Sequence, residues 1–216
     1  MKNISENQLL NTKLSRTFKR QAGRFFTLLC IGIGVALTVS AQDNAPKVNI
    51  VTNGSFEQKI IVGGKSTPEG WGFFGTTNTI TGAYMMDGDQ QVHSGTRAVS
   101  ITVPPPDTAV NGMRLSGPIE VKPGAAYSVE GWIKTSKCTE GTGKGAWLWV
   151  TAAEDQNGKP GNVIGGSGIF VTGTQDWRES STQIYIPRNI RRLRIACRLD
   201  GSGTASFDDV TISRIE

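Results

Sequence analysis

Histidine is almost absent from this chain, and its scarcity argues against several kinds of catalytic site. The 216 residues contain one histidine, His93, in a His-Ser-Gly sequence that is typical of a turn. A Ser-His-Asp or Cys-His arrangement needs a histidine placed as a base beside its nucleophile. A four-ligand zinc cluster of histidine and cysteine needs more than the one histidine and two cysteines that residues 42–216 contain. The sequence therefore disfavours triad hydrolases and His/Cys zinc clusters.

Net charge is also missing once the N-terminal segment is set apart. Residues 1–41 hold six basic residues and one acidic residue, which leaves 17 of each sign in residues 42–216. The bases precede an apolar run from Phe25 to Val39, and Val39-Ser40-Ala41 matches the cleavage site of a secretory signal peptide. A retained anchor is the alternative, although about 15 apolar residues fall short of the roughly 20 that span a bilayer. We expect a signal peptide over 1–41 and a secreted, periplasmic or cell-surface domain over 42–216, with no charge excess to bind nucleic acid or anionic membranes.

Cysteine is scarce in the predicted mature domain, where Cys138 and Cys197 are the two present. An even number of cysteines in an exported protein favours one disulfide between them. Two separate buried thiols are the alternative, because the sequence does not show whether the two residues are close.

Helical periodicity is nearly absent as well. Apolar and polar residues alternate instead, between turns rich in glycine, proline and asparagine. Strands are predicted at 47–51, 71–75, 79–85, 97–103, 112–121, 127–134, 145–153, 178–186, 192–199 and 204–215. Short strands without helices predict an all-β fold, an antiparallel two-sheet β-sandwich of the jelly-roll type.

Three tryptophans are expected on an outer face of this sandwich. In the strands 127–134, 145–152 and 192–199, one set of alternate residues is apolar and the other is polar or aromatic. If these strands share a sheet, its outer face carries Trp132, Trp147, Trp149, Glu130, Lys134, Arg192, Arg194 and Arg198. Exposed aromatic residues among charges are typical of binding surfaces, and flat indole rings suit the C–H faces of sugars. The alternative is that these tryptophans pack under the loop 136–145 or at the rim of the core.

An ordered set of short motifs runs through the mature chain. It comprises NGSFE from Asn53, Gly70-Trp71, HSGTRAV from His93, YSVEGWIK from Tyr127, GTQDW from Gly173 and FDDV from Phe207. In order and spacing these motifs resemble the jelly-roll carbohydrate-binding modules of the family 4, 9 and 22 type, which accompany bacterial cellulases and xylanases. The resemblance covers about residues 48–214. It implies a galactose-binding-domain-like sandwich that binds a polysaccharide or oligosaccharide.

The resemblance also implies a structural calcium ion where the first and last strands meet. Calcium takes six to eight oxygen ligands from carboxylates and backbone carbonyls. The matching positions are the carbonyl of Ser55, the carboxylate of Glu57, a carbonyl or side chain of the turn His93–Thr96, and one carboxylate of Asp208 and Asp209. The alternative is that the two aspartates cap loops or pair with arginines on a solvated edge.

The sequence thus predicts an exported, non-catalytic, monomeric module that binds a glycan through Trp147, Trp149, Trp132, Glu130, Arg194 and Arg192. A structural or adhesive β-sandwich without a sugar ligand is the alternative. A glycosidase needs two facing carboxylates, and Glu130 with Glu154, Asp155 or Asp200 could be such a pair, but no motif supports it. The five arginines between 188 and 198 would favour an acidic glycan if they line the groove, whereas a solvated strand is the default.

Overall fold

The structure is a computed structural model that describes residues 47–86, 92–106, 111–153, 161–166 and 169–215. The predicted signal peptide, residues 1–41, lies outside these ranges. Over the described ranges, no helix is present with the length and apolar character needed to cross a membrane.

Thirteen β-strands make up the regular structure of these ranges. They are β1 (Lys59–Val62), β2 (Lys65–Pro68), β3 (Trp71–Gly75), β4 (Thr81–Met86), β5 (Arg97–Val103), β6 (Asn111–Ser116), β7 (Ile119–Glu120), β8 (Ala126–Cys138), β9 (Gly145–Ala152), β10 (Val163–Gly166), β11 (Gly173–Tyr185), β12 (Arg192–Asp200) and β13 (Gly203–Ile215). The all-β prediction is confirmed.

Two antiparallel sheets form the sandwich. The six-stranded sheet has the order β10-β9-β12-β6-β3, and β7 also pairs with β12. The five-stranded sheet has the order β11-β8-β13-β5-β4, while β1 and β2 form a separate hairpin. Neighbours in these sheets are mostly distant in sequence, as expected for a jelly roll.

The core lies between the two sheets and follows the predicted alternation. The inward side chains of β8, β9 and β12 are fully buried and include Val129, Ile133, Leu148, Val150, Leu193 and Ile195. Each such aliphatic side chain contributes about 1.5–3 kcal/mol when it leaves water. Arg114 of β6 is a charged residue among these buried side chains. It is only 5% exposed, and its guanidinium carbon lies 4.9 Å from the centre of the Phe73 ring. Burial lowers the pKa of Arg114.

Two predicted strands differ from the structure for local reasons. Residues 47–51 form no strand, because the Asn49 side chain accepts hydrogen bonds from the amides of Val51 and Ile212, both at 3.0 Å. The single strand predicted at 112–121 is divided into β6 and β7 by Gly117-Pro118, where the Ser116 hydroxyl accepts the Ile195 amide at 3.1 Å. The strands β1, β2 and β10 were not predicted.

Candidate functional site

Trp147 and Trp149 lie on the outer face of the six-stranded sheet. Their neighbours Ala146, Leu148 and Val150 are fully buried on the inner face, while the two indoles are half-buried on the other side. The ring centres are 6.4 Å apart with 47° between the planes. The predicted alternation of β9 is therefore confirmed.

Two charged residues of β12 hold these indoles in place. Arg198 lies opposite Trp147, and its guanidinium carbon is 4.6 Å from the centre of the Trp149 ring and 5.8 Å from that of Trp147. Asp200 accepts the indole N–H of Trp147 at 2.7 Å. The same carboxylate accepts the Arg198 Nε–H at 2.9 and 3.0 Å to its two oxygens. A cation over an indole face and a charged acceptor on its N–H both restrict the ring's orientation.

Phe170 completes this group, which we call the tryptophan cluster: Trp147, Trp149, Phe170, Arg198 and Asp200. An isolated bridge between Ala146 and Val171 brings Phe170 against β9, and its ring centre lies 4.9 Å from that of Trp147. Phe170 is not predicted from the sequence, because it precedes β11 in an irregular segment where alternation gives no signal. The cluster presents flat apolar rings beside a fixed guanidinium and carboxylate, which suits the C–H faces and hydroxyls of a sugar.

Arg192 and Arg194 share the strand of Arg198 but lie farther from the rings. Arg194 is half-buried opposite Thr151, two positions along β9 from Trp149. Arg192 is exposed at the start of β12, with its Nε 3.9 Å from a carboxylate oxygen of Glu120. Both belong to the same outer face as the tryptophan cluster, as predicted.

Trp132 and Glu130 lie on the other sheet, so the prediction of a single face with three tryptophans was wrong. They belong to β8 of the five-stranded sheet, whereas Trp147 and Trp149 belong to the six-stranded sheet. Trp132 stacks on the imidazole of His93 with 3.8 Å between centres and 15° between planes. Glu130 accepts the Ser128 hydroxyl at 2.5 Å. Strand alternation shows which side of its own sheet a residue faces, but not to which sheet the strand belongs.

The first and last motifs meet, as the resemblance implies. The Val210 amide donates to the Gly54 carbonyl at 2.9 Å. Only glycine fits at position 54, because a Cβ there would lie 1.9 Å from the Val210 carbonyl oxygen. This contact joins the NGSFE turn to β13.

Glu57 binds the turn that precedes β5. Its Oε1 accepts the amides of Thr96 and Arg97 at 2.8 and 3.0 Å, and its Oε2 accepts the Thr96 hydroxyl at 2.6 Å. Burial alone would raise the pKa of the Glu57 carboxyl, but these hydrogen bonds and the charge of Arg97 outweigh it and lower the pKa. The carboxylate is therefore ionised and engaged by N–H and O–H donors.

Asp208 and Asp209 of β13 also contact the turn that precedes β5. The register of β13 shifts between Asp208 and Thr211, and Asp209 adopts φ 49°, as in a β-bulge. Asp208, which is 0% exposed, accepts the amides of His93 and Ser94 at 3.0 and 3.1 Å. Asp209 bonds the His93 Nδ1 at 2.7 Å and accepts the Ser94 hydroxyl at 2.9 Å. The bulge thus lets two adjacent aspartates contact one turn, with Asp208 as the inward residue.

The predicted calcium ligands come together only in part. Glu57, Asp208 and Asp209 all contact the segment His93–Arg97, while Ser55 is half-buried in the neighbouring turn. Acceptor oxygens of this kind suit calcium, and burial raises the pKa of Asp208 to about 6, which a nearby cation would reverse. However, the carboxylate oxygens of Glu57 and Asp208 accept N–H donors, and the described residues contain no group of three or more His, Cys, Asp or Glu arranged to hold a metal ion.

The predicted disulfide is not present. Cys138 and Cys197 are both free and buried. Cys138 ends β8 of the five-stranded sheet and its thiol contacts the Thr204 carbonyl at 3.3 Å, whereas Cys197 lies in β12 of the six-stranded sheet, opposite Leu148. Burial raises the pKa of Cys138 to about 11, and burial also raises that of Cys197.

Solved structures share this fold at low sequence identity. A putative sugar binding protein from Bacteroides thetaiotaomicron VPI-5482 has 11% identity and a TM-score of 0.55, over 78% of this chain and 100% of that one. A CBM4 module has 16% identity and a TM-score of 0.50, over 76% and 99%. The enzymatically active domain of tailspike protein 4 from bacteriophage CBA120 has 19% identity and a TM-score of 0.54, and the 77% of this chain that aligns spans only 21% of it. At these identities the likeness concerns the fold alone.

Family membership rests on the sequence. No curated protein matches the chain. Residues 48–203, which include the strands of both sheets up to the start of β13, match the family CBM_4_9, described as a carbohydrate binding domain. The chain belongs to this family of carbohydrate-binding domains.

Proposed function

We propose that this protein is an exported, monomeric, non-catalytic module that binds a polysaccharide or oligosaccharide on the outer face of its six-stranded sheet. The observation that carries the proposal is the tryptophan cluster, in which Arg198 and Asp200 fix the orientation of two half-buried indoles. Rings that are already held lose little conformational entropy when a ligand stacks on them. Arg192 and Arg194 extend this face with further hydrogen-bond donors.

The placement of the carboxylates supports binding without catalysis. Glu130 and Asp200 belong to different sheets, so they cannot flank one glycosidic bond as a glycosidase requires. Asp200 is in addition engaged by Trp147 and Arg198. The other two candidates, Glu154 and Asp155, lie outside the described residues.

A panel of polysaccharide affinity gels tests this function. Xylan, soluble cellulose derivatives, mixed-linkage glucans and polyuronates would be included, with an assay for released reducing ends. We expect retarded migration on at least one polymer, without cleavage. Cleavage would identify an enzyme, and no retardation on any polymer would favour the structural or adhesive alternative. Preference for polyuronates would assign a ligand role to the arginines of β12.

We also propose a structural calcium ion held by the Glu57 and Asp208 carboxylates with carbonyl groups of the adjoining turns. The support is chemical: three acidic side chains contact one short segment, and Asp208 is fully buried. Bound calcium would stabilise the fold by mass action, so EDTA should lower Tm by several degrees. Glu57→Ala should abolish the effect of EDTA, whereas Glu120→Ala, at an exposed position on the other sheet, should leave it intact. An unchanged Tm in EDTA, with no metal by elemental analysis, would refute the site.

Export is proposed from the N-terminal sequence alone. Mass spectrometry of the protein recovered outside the cytoplasm should find a mature N-terminus near Gln42. Recovery of a membrane-bound species that retains residues 25–41 would favour the anchor instead.

A further inference from the structure

A row of side chains crosses the outer face of the six-stranded sheet from one edge region to the other. Trp147 of β9 lies opposite Arg198 of β12, Arg198 lies opposite Met113 of β6, and Met113 lies opposite Phe74 of β3. Directly opposed residues of antiparallel strands point to the same face. Phe74 therefore shares the face of the tryptophan cluster, three strands away. Phe74 is not among the site residues predicted from the sequence.

The ring of Phe74 lies down along the sheet. The residue beside it on this face is Gly72, and a Cβ at Gly72 would lie 3.0 Å from Cε2 and 3.5 Å from Cζ of Phe74. The ring thus leans over the glycine, while 54% of the residue remains exposed. Trp147 is seated in a similar way, because a Cβ at Gly166 of β10 would lie 2.5 Å from its Cζ3. At each end of the row, a glycine makes room for an aromatic ring.

The surface between the rings of Trp147 and Phe74 is formed by side chains of β6 and β12. Met113 and Leu115 are half-buried on this face of β6, and Ala196 of β12 is fully buried between Trp149 and Leu115. Between Trp147 and Phe74 the row itself holds Arg198 and Met113, and the small Ala196 lies in the neighbouring row. Single exposed apolar residues are common on protein surfaces, but an exposed ring in register with a binding cluster is a candidate contact.

We propose that Phe74 is a second aromatic anchor, and that the site takes a linear oligosaccharide stretch which crosses the strands from Trp147 to Phe74. This inference rests on the proposed function. Three strand separations of about 4.8 Å place the ends of the row roughly 14 Å apart, so a single sugar ring cannot reach both. The tryptophan cluster binds one end of the stretch, and Phe74 contributes only when the ligand is long enough to reach it.

A length series of ligands tests this arrangement. Affinities of the wild type, Phe74→Ala and Trp149→Ala would be measured for xylo- and cello-oligosaccharides from disaccharide to hexasaccharide. We expect Phe74→Ala to weaken hexasaccharide binding about tenfold and to leave disaccharide binding unchanged, as for loss of one stacking contact. Trp149→Ala should weaken binding at every length. Tyr185→Ala is the matched control, because Tyr185 is a similarly exposed aromatic residue (59%) on the five-stranded sheet.

The outcomes separate this inference from the proposed function. Equal affinities of Phe74→Ala and wild type at all lengths would overturn the second anchor while the glycan site stands. Equal weakening of binding by Tyr185→Ala and Phe74→Ala would also overturn the second anchor, because Tyr185 lies on the other sheet. If the wild-type protein bound no oligosaccharide of the series and no polymer of the gel panel, both proposals would be overturned. Contact of Phe74 with a protein partner would then be the alternative.

Discussion

Trp147 and Trp149 are adjacent on one strand, yet the structure gives them different energetic roles. Trp147 donates to the Asp200 carboxylate at 2.7 Å and packs against Phe170 at 4.9 Å. A hydrogen bond to a charged acceptor contributes about 1.5–3 kcal/mol and an aromatic pair about 0.5–1.5 kcal/mol. Trp149 contacts Arg198 through its ring face, which contributes about 0.5–1 kcal/mol at a partly exposed site. We therefore expect Trp147→Ala to reduce the free energy of unfolding by about 3 kcal/mol and Trp149→Ala by about 1 kcal/mol.

Urea unfolding and affinity electrophoresis on one bound polymer would measure both effects. A domain of this size loses about 2–4 °C in Tm for each kcal/mol, so the two variants should be clearly separated in thermal melts. Trp149→Ala should lose most of its retention on the gel although it stays folded. Trp147→Phe combined with Asp200→Ala should cost less than the sum of the single substitutions, because both remove the same hydrogen bond. Similar destabilisation by Trp147→Ala and Trp149→Ala, with retention kept by the latter, would refute this division of roles.

Three further predictions concern the core and the turn beneath β13. Cys138 and Cys197 should both be unreactive to a thiol reagent in the native protein, because burial raises their pKa values, and both should react in denaturant; no reaction in denaturant would indicate a disulfide after all. In EDTA, the contribution of Asp208 to stability should fall as the pH rises from about 4 to about 6: its pKa is about 6 in the folded protein, above its unfolded value of about 4, so the folded state binds the proton more tightly in this window, whereas Glu57, whose pKa is lowered, acts in the opposite direction. The two-unit difference corresponds to about 3 kcal/mol, and Asp208→Asn should remove the slope in urea titrations, whereas an unchanged slope would assign it to other groups. Gly54→Ala should cost about 3 kcal/mol or prevent folding, because the new Cβ would collide with the Val210 carbonyl, and a melt equal to wild type would contradict that contact.

The fold class could be predicted because β-alternation is a local property of each strand. In β8, β9 and β12 every residue of the apolar set identified from the sequence is buried, including Val129, Leu148 and Ile195. Side-chain direction depends only on the pleat, so it survives any error in topology. Pairing of strands depends on contacts between distant segments, and here the sequence was insufficient. The outward Trp132 was therefore grouped with Trp147, although the two lie on different sheets.

The parts of the candidate site that the sequence did not predict depend on an irregular segment and on the pairing of distant strands. Phe170 reaches Trp147 through a single bridge at Val171, which has no periodic signature. Phe74 belongs to a predicted strand, but its significance depends on the register of three strand pairs. The disulfide was inferred from an even count of cysteines, and a count contains no information about the separation of β8 and β12.

The paired aspartates and the paired tryptophans serve different parts of the molecule. Asp208 and Asp209 connect β13 to the turn before β5 within the five-stranded sheet, and Gly54 joins the N-terminal motif to the same bulge. The tryptophan cluster lies on the outer face of the six-stranded sheet, so substitutions of its rings leave these contacts of Asp208, Asp209 and Gly54 intact. Substitutions at the bulge should therefore act on affinity only through the folded fraction, which is why the melting and binding measurements must be made on the same variants.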